Sequence, residues 1–123
     1  MFRPGDVVKF YSFVANKQKF HFCISITGGF LFLNSYKNKS FTGDLVVPCT
    51  EIPCLEPTES GKSVVSCSLI VRMDNQQLRH VRAEKIGTVN NSLLVDVIRY
   101  IENSPVLSAE DKELVLDGLG DWV

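Results

Sequence analysis

Hydrophobic and polar residues alternate along the N-terminal half of the chain with the two-residue period of β-strands. The clearest case is residues 20–26, which follow a polar loop at residues 16–19. Phe20, Phe22, Ile24 and Ile26 point to one face of this strand, and His21, Cys23 and Ser25 point to the other. Further strands are predicted at residues 7–11, 30–33, 44–49 and 63–71, and Thr27-Gly28-Gly29 predicts a hairpin turn.

In the C-terminal third, the spacing of hydrophobic residues changes from the period of strands to that of helices. Residues 75–80 predict a short helix or turn, and residues 83–89 predict a short connecting strand. A helix at about residues 90–104 follows from its apolar stripe, which consists of Leu94, Val97, Ile98 and Ile101. Ser108 predicts the cap of a last helix at about residues 108–118, with Asp111 placed as in a capping box.

Five strands joined by short turns predict a mainly β fold with C-terminal helices. The expected architecture is a small β-barrel or a curved antiparallel sheet, packed by one or two helices. A chain of 123 residues is long enough for one hydrophobic core, so residues 1–123 are expected to form a single domain, with the barrel at about residues 3–89.

Charge is balanced overall but uneven along the chain. Thirteen Lys and Arg residues against 14 Asp and Glu residues give a net charge of -1, so nucleic-acid binding needs a local basic patch. The first third of the chain supplies such a basic patch, and the last fifteen residues are acidic. The lysines of the first third are Lys9, Lys17, Lys19, Lys37 and Lys39.

The cysteine pattern predicts a reducing compartment. Cys23, Cys49, Cys54 and Cys67 lie in or beside apolar strand segments, which favours buried free thiols over disulfides. A zinc site built on His21 and Cys23 is the alternative reading. The start of the chain lacks the apolar stretch of a signal peptide, and no apolar run approaches the roughly 20 residues of a membrane helix. We therefore predict a cytoplasmic protein with no membrane association.

Four short segments, in this order, resemble the MazF/PemK-like (CcdB-fold) toxin family over about residues 3–102. The first is Arg3-Pro-Gly-Asp6 before an apolar strand, and the second is Lys19-Phe-His-Phe-Cys-Ile24. The third is Val46-Val-Pro-Cys-Thr50. The fourth comprises residues 63–74, then Lys85-Ile-Gly87-Thr and the helix at residues 93–101. The resemblance implies a small SH3-like or CcdB-like barrel.

The resemblance also implies an activity. Family members are typically homodimers that cleave single-stranded RNA without a metal or other cofactor, with the adjacent 2′-hydroxyl as nucleophile, and a small antitoxin protein inhibits them. Such chemistry needs a proton acceptor, a cation to neutralise the phosphorane and an acid for the leaving oxygen. The residues that correspond to the family's site, or stand beside it, are Lys19, His21, Thr50, Ser66 and Ser68.

This sequence departs from the family at the reacting centre. Lys19 replaces the family's arginine and lacks the planar fork that grips a phosphate. Ser66 and Ser68 replace an arginine and an aspartate of the PemK-like branch, whereas Thr50 matches the family pattern. His21 is a candidate acid or base near neutral pH.

Four cations are predicted to bind the RNA backbone. Lys17 precedes the second strand, Lys37 and Lys39 lie in a polar loop, and Arg72 belongs to a second basic cluster with Arg79, His80 and Arg82. Two alternatives to a ribonuclease stay open at this stage. One is a catalytically inactive protein of the same fold that binds a protein partner, and the other is a structural domain with no toxin role.

Overall fold

The computed structural model describes residues 1–123 as one six-stranded antiparallel sheet with three helices. The strands are β1 (Asp6–Ser12), β2 (Lys17–Ser25), β3 (Gly29–Ser35), β4 (Asp44–Pro48), β5 (Lys62–Arg72) and β6 (Glu84–Thr88). The helices are α1 (Asn75–His80), α2 (Asn91–Glu102) and α3 (Ala109–Gly120), and a 3₁₀ turn spans Cys49–Glu51. The predicted α+β class, mainly β with C-terminal helices, is confirmed.

The sheet does not close into a barrel. Its strand order is β4-β5-β3-β2-β1-β6, so β4 and β6 are edge strands that do not pair with each other. The closed-barrel alternative of the prediction is therefore wrong, and the open antiparallel sheet is confirmed. β4 ends at Pro48, which has no backbone N–H to donate, and the chain then enters the 3₁₀ turn.

The segment after β4 bridges the two edges instead. The Asn90 amide, just beyond β6, donates a hydrogen bond of 2.9 Å to the Glu51 carbonyl. Further along, Cys54 packs so closely on β6 that a Cβ added to Gly87 would lie 2.4 Å from the Cys54 Cβ. Side-chain and loop contacts thus connect the two edges of the sheet, which in a barrel are joined by strand pairing.

Two boundaries differ from the sequence prediction. β2 begins at Lys17, because residues 17–19 pair with the end of β1 and become part of the sheet. The predicted connecting strand at residues 83–89 is a full member of the sheet, because Glu84–Thr88 pairs with β1. The predicted turn before β3 is present, and Gly28 adopts a φ of 96° there.

The main core lies between the sheet and helices α2 and α3. Ser108 is the N-cap of helix α3, and its hydroxyl accepts the Asp111 amide at 3.1 Å, which confirms the predicted cap. The helix approaches β2 through Gly118, where an added Cβ would lie 2.0 Å from the Ile24 carbonyl oxygen. The buried residues at this interface include Phe22, Leu31, Val65, Leu93, Val97, Ile101, Val115 and Leu119.

A smaller cluster lies on the opposite face of the sheet, where α1 packs. It contains Val8, Phe10, Cys23, Phe30, Met73 and Leu78. His21 belongs to this face, because it pairs with Val8 on β1 and Phe32 on β3. None of the three helices combines the length and apolarity that crossing a bilayer requires.

Candidate functional site

One end of the sheet gathers several loops and strand ends. Strand pairing puts Lys17 opposite Ser12, Ser35 opposite Ser63, and Pro48 opposite Lys62. The start of β2 and the ends of β3 and β4 therefore meet at this end, together with the segment that bridges the sheet edges. The polar and basic residues of these loops surround a single concave surface.

That surface is a cleft of about 820 Å³, within the size range of small-ligand sites. Four lysines line it: Lys9, Lys17, Lys19 and Lys37. We call it the lysine cleft. Its apolar wall consists of Phe20, Leu33, Cys49, Ile52, Cys54, Leu55 and Ile86, and its acidic residues are Glu56 and Glu84.

The cleft lysines carry no ion-pair partner. The structure contains two ion pairs, Lys85 with Asp6 and Arg72 with Asp111, and neither involves a cleft lysine. Four lysines against two glutamates leave the cleft with an excess of positive charge. An unneutralised group of cations in a concave surface focuses the field on an incoming anion.

The surroundings of Lys19 disfavour the charged form of its side chain. Burial lowers the pKa of Lys19, and the positive charges of Lys17 and Lys37 lower it further. Its ammonium donates to the Asn34 side-chain oxygen and lies 5.7 Å from the centre of the Phe32 ring. The Asn34 oxygen and the Phe32 ring offset only part of the Lys19 charge. A bound anion would therefore reduce the repulsion among the cleft lysines.

His21 is not available to a ligand in this structure. Its side chain is fully buried, and neither ring nitrogen has a hydrogen-bond partner. Burial lowers its pKa from 6.5 to about 4, because nearby carbonyls of Val8 and Lys19 favour the charged form too weakly to compensate. His21 is therefore neutral at physiological pH and does not line the cleft.

The three candidate hydroxyl residues are not grouped around Lys19. Thr50 is exposed in the 3₁₀ turn, and its carbonyl accepts the Asn90 side-chain amide at 3.2 Å. Its neighbours Cys49 and Ile52 line the cleft, but Thr50 does not. Ser66 shares a sheet face with His21 but is separated from it by β3, because Ser66 and His21 both pair with Phe32. The Ser66 and Ser68 hydroxyls lie 3.4 Å apart, outside the cleft.

Two of the four predicted RNA-binding cations line the cleft, and the other two lie outside it. Lys17 and Lys37 line the cleft, whereas Lys39 does not and lies 5.1 Å from the Phe41 ring centre. Arg72 pairs with Gly29 at the opposite end of the sheet and forms a 2.8 Å ion pair with Asp111 on α3. Arg72 thus joins α3 to the sheet and lies far from the cleft lysines along the strands.

The four free cysteines fall into two groups that differ in exposure to solvent. Cys23 and Cys67 are buried, and burial raises the pKa of each thiol to about 12. Cys49 and Cys54 are partly exposed in the wall of the lysine cleft. The structure brings no three His, Cys, Asp or Glu side chains together in a group suited to a metal ion.

Sequence reasoning did not assign several residues of the cleft to a site. The sequence pattern places Lys9 only in the basic N-terminal third, whereas in the structure it lies opposite Phe20 and its ammonium is 5.7 Å from that ring. Pairing the two predicted strands across their turn could have found it. Glu84 and Leu55 come from distant segments with no sequence signal of their own.

No protein-family model matches this chain, and no curated protein matches it either.

Proposed function

We propose that this protein binds single-stranded RNA in the lysine cleft. The observation that carries the proposal is the group of four lysines without carboxylate partners around one concave surface. Lysine charges attract the phosphates of a nucleic-acid backbone, and the apolar wall suits the faces of unpaired bases.

The binding test uses a short fluorescent single-stranded RNA and fluorescence anisotropy at low salt. Lys19→Ala is expected to weaken binding by about tenfold, because it removes a charge-assisted phosphate contact. Lys39→Ala is the matched control, since Lys39 lies in the same loop as Lys37 but outside the cleft. Equal affinities for wild type and Lys19→Ala would contradict the proposal.

Cleavage of the bound RNA is a finer part of the proposal, and it depends on Lys19. Of the five catalytic candidates, Lys19 alone lines the cleft, where it could neutralise charge on a phosphorane. Buried, neutral His21 receives no role in proton transfer. The test is incubation of a long single-stranded RNA with wild type and Lys19→Ala in the presence of EDTA. Products with 2′,3′-cyclic phosphate ends, made by wild type only, would support a toxin-like endoribonuclease.

A catalytically inactive protein that binds a protein partner is the second candidate. The separation of His21, Thr50, Ser66 and Ser68 from the cleft favours it, because none of these predicted catalytic residues lines the cleft with Lys19. Intact RNA after incubation with folded wild type would select this alternative over cleavage.

The remaining parts of the toxin proposal are a cytoplasmic location, a homodimer and an antitoxin protein. They rest on the free thiols and on the family resemblance. Light scattering of the purified protein tests the dimer. Co-purification with the product of a neighbouring gene tests the antitoxin.

A further inference from the structure

An aromatic pair, in which one ring is exposed and the other is half-buried, lies next to the lysine cleft. Phe13 lies in the turn between β1 and β2 and is 70% exposed, the largest value among the exposed large hydrophobic side chains. Its ring packs edge-on against Tyr11, with the ring centres 5.3 Å apart and the planes at 74°. We call Tyr11 and Phe13 the aromatic tip.

The turn that carries the tip is held by side-chain hydrogen bonds. The Ala15 amide donates to the Ser12 hydroxyl at 3.0 Å, and the Tyr11 hydroxyl donates to the Asn16 side-chain oxygen. Asn16 takes a left-handed conformation with a φ of 56°, which Asn tolerates better than most residues. The aromatic rings are therefore positioned before any ligand arrives, which reduces the entropy lost on binding.

Strand pairing connects the tip with the cleft. Tyr11 lies directly opposite Gln18, and two residues earlier Lys9 lies opposite Phe20. Lys9, Gln18 and Phe20 all line the cleft, and side chains two residues apart on a strand share a face. The aromatic tip thus continues the cleft surface along β1.

We propose that the aromatic tip stacks an unpaired base of an RNA strand whose phosphates lie along the cleft lysines. This inference rests on the proposed function and adds selectivity to it. An exposed aromatic ring beside unpaired cations suits a ligand with alternating anionic and flat apolar groups, and single-stranded nucleic acid has that chemistry. Duplex RNA keeps its bases stacked and cannot use the tip.

The experiment compares the affinities of Phe13 variants for one mixed-sequence RNA, single-stranded or annealed to its complement. Phe13→Ala is expected to weaken single-strand binding by about five- to 150-fold, as measured for removal of a stacking aromatic. Phe13→Trp should retain binding, and Phe13→Leu should lose it, because leucine is apolar but has no ring to stack. Ile26→Ala removes another exposed hydrophobic side chain, which is 66% exposed beyond the far end of β2, and should bind as wild type does. Circular dichroism checks the fold of each variant.

The outcomes separate the two proposals. Wild-type affinity in Phe13→Ala, with weakened binding in Lys19→Ala, would overturn the aromatic tip but leave RNA binding in place. Equal binding of duplex and single strand, or full binding by Phe13→Leu, would also overturn stacking. Absence of RNA binding by wild type would overturn both. Loss of binding to anionic lipid vesicles in Phe13→Ala, without change in RNA affinity, would assign the tip to a membrane surface instead.

Discussion

The rings of His21 and Phe10 lie parallel in the smaller core cluster, with their centres 3.7 Å apart and their planes within 5°. Phe30 and Phe32 complete the surroundings of the imidazole, with ring centres 6.3 Å and 5.1 Å away. A histidine enclosed by aromatic rings, with both nitrogens unpartnered, is held in its neutral form. This relationship excludes the acid–base role that its position in the sequence suggests.

Acidification should destabilise the protein through His21. The pKa of His21 falls from 6.5 to about 4 on folding, so the unfolded chain binds its proton first as the pH decreases. The contribution is fully present above about pH 6.5 and is lost progressively towards pH 4, by about 3 kcal/mol in total. Urea unfolding at a series of pH values measures it.

A matched pair of variants isolates the His21 contribution. His21→Leu removes the titrating ring and should flatten the dependence of the unfolding free energy on pH between 6.5 and 4. His80→Gln, at the exposed end of α1, should retain the wild-type dependence. An unchanged slope in His21→Leu would show that other groups cause the loss of stability.

Contact between α3 and β2 should depend on the absence of a side chain at Gly118. Gly118→Ala would place a Cβ 2.0 Å from the Ile24 carbonyl oxygen, and backbone cannot move aside as a side chain can. We expect a loss of about 3 kcal/mol, at the upper end of typical overpacking effects. Gly120→Ala is the control in the same helix, since no atom lies within 4 Å of its added Cβ. It should change stability by less than about 1 kcal/mol, in the favourable direction. Chemical unfolding measures both, and similar losses in the two variants would contradict the close packing.

The four thiols should react in two classes. Ellman's reagent should modify Cys49 and Cys54 in the native protein, because both are partly exposed in the cleft wall. Cys23 and Cys67 should react only after unfolding, since burial raises the pKa of each to about 12 and blocks access. Single-stranded RNA should slow the reaction of the cleft pair alone. Four equally fast thiols in the native protein would contradict the packing of both core clusters.

The salt dependence of RNA binding should report the number of cleft lysines in use. Each phosphate contact contributes about 0.7 to the slope of log affinity against log salt concentration for a single strand. Lys19→Ala should therefore reduce the slope by about 0.7, and Lys39→Ala should leave it unchanged. Equal slopes in wild type and Lys19→Ala would indicate that Lys19 contacts no phosphate.

Local sequence patterns determined the elements of this protein. Alternation over residues 20–26 assigned Phe22 and Ile24 to one core and Cys23 to the other face, as the structure has them. The cap at Ser108 is also a short-range effect, because its hydroxyl bonds to an amide three residues away. Such features depend on neighbouring residues only, so they can be read from the chain.

Tertiary structure determined which residues form the candidate site. The strand pattern predicts an accessible acid or base at His21, because such a pattern shows which face a residue takes but not what covers that face. Its burial depends on Phe10 and Phe32, which come from neighbouring strands. The cleft likewise depends on the segment after β4 reaching Gly87 on the far edge of the sheet, a contact between residues distant in sequence. Sequence therefore determined the strands, helices and local charge, whereas packing across the sheet selected the cleft lysines and left His21 buried.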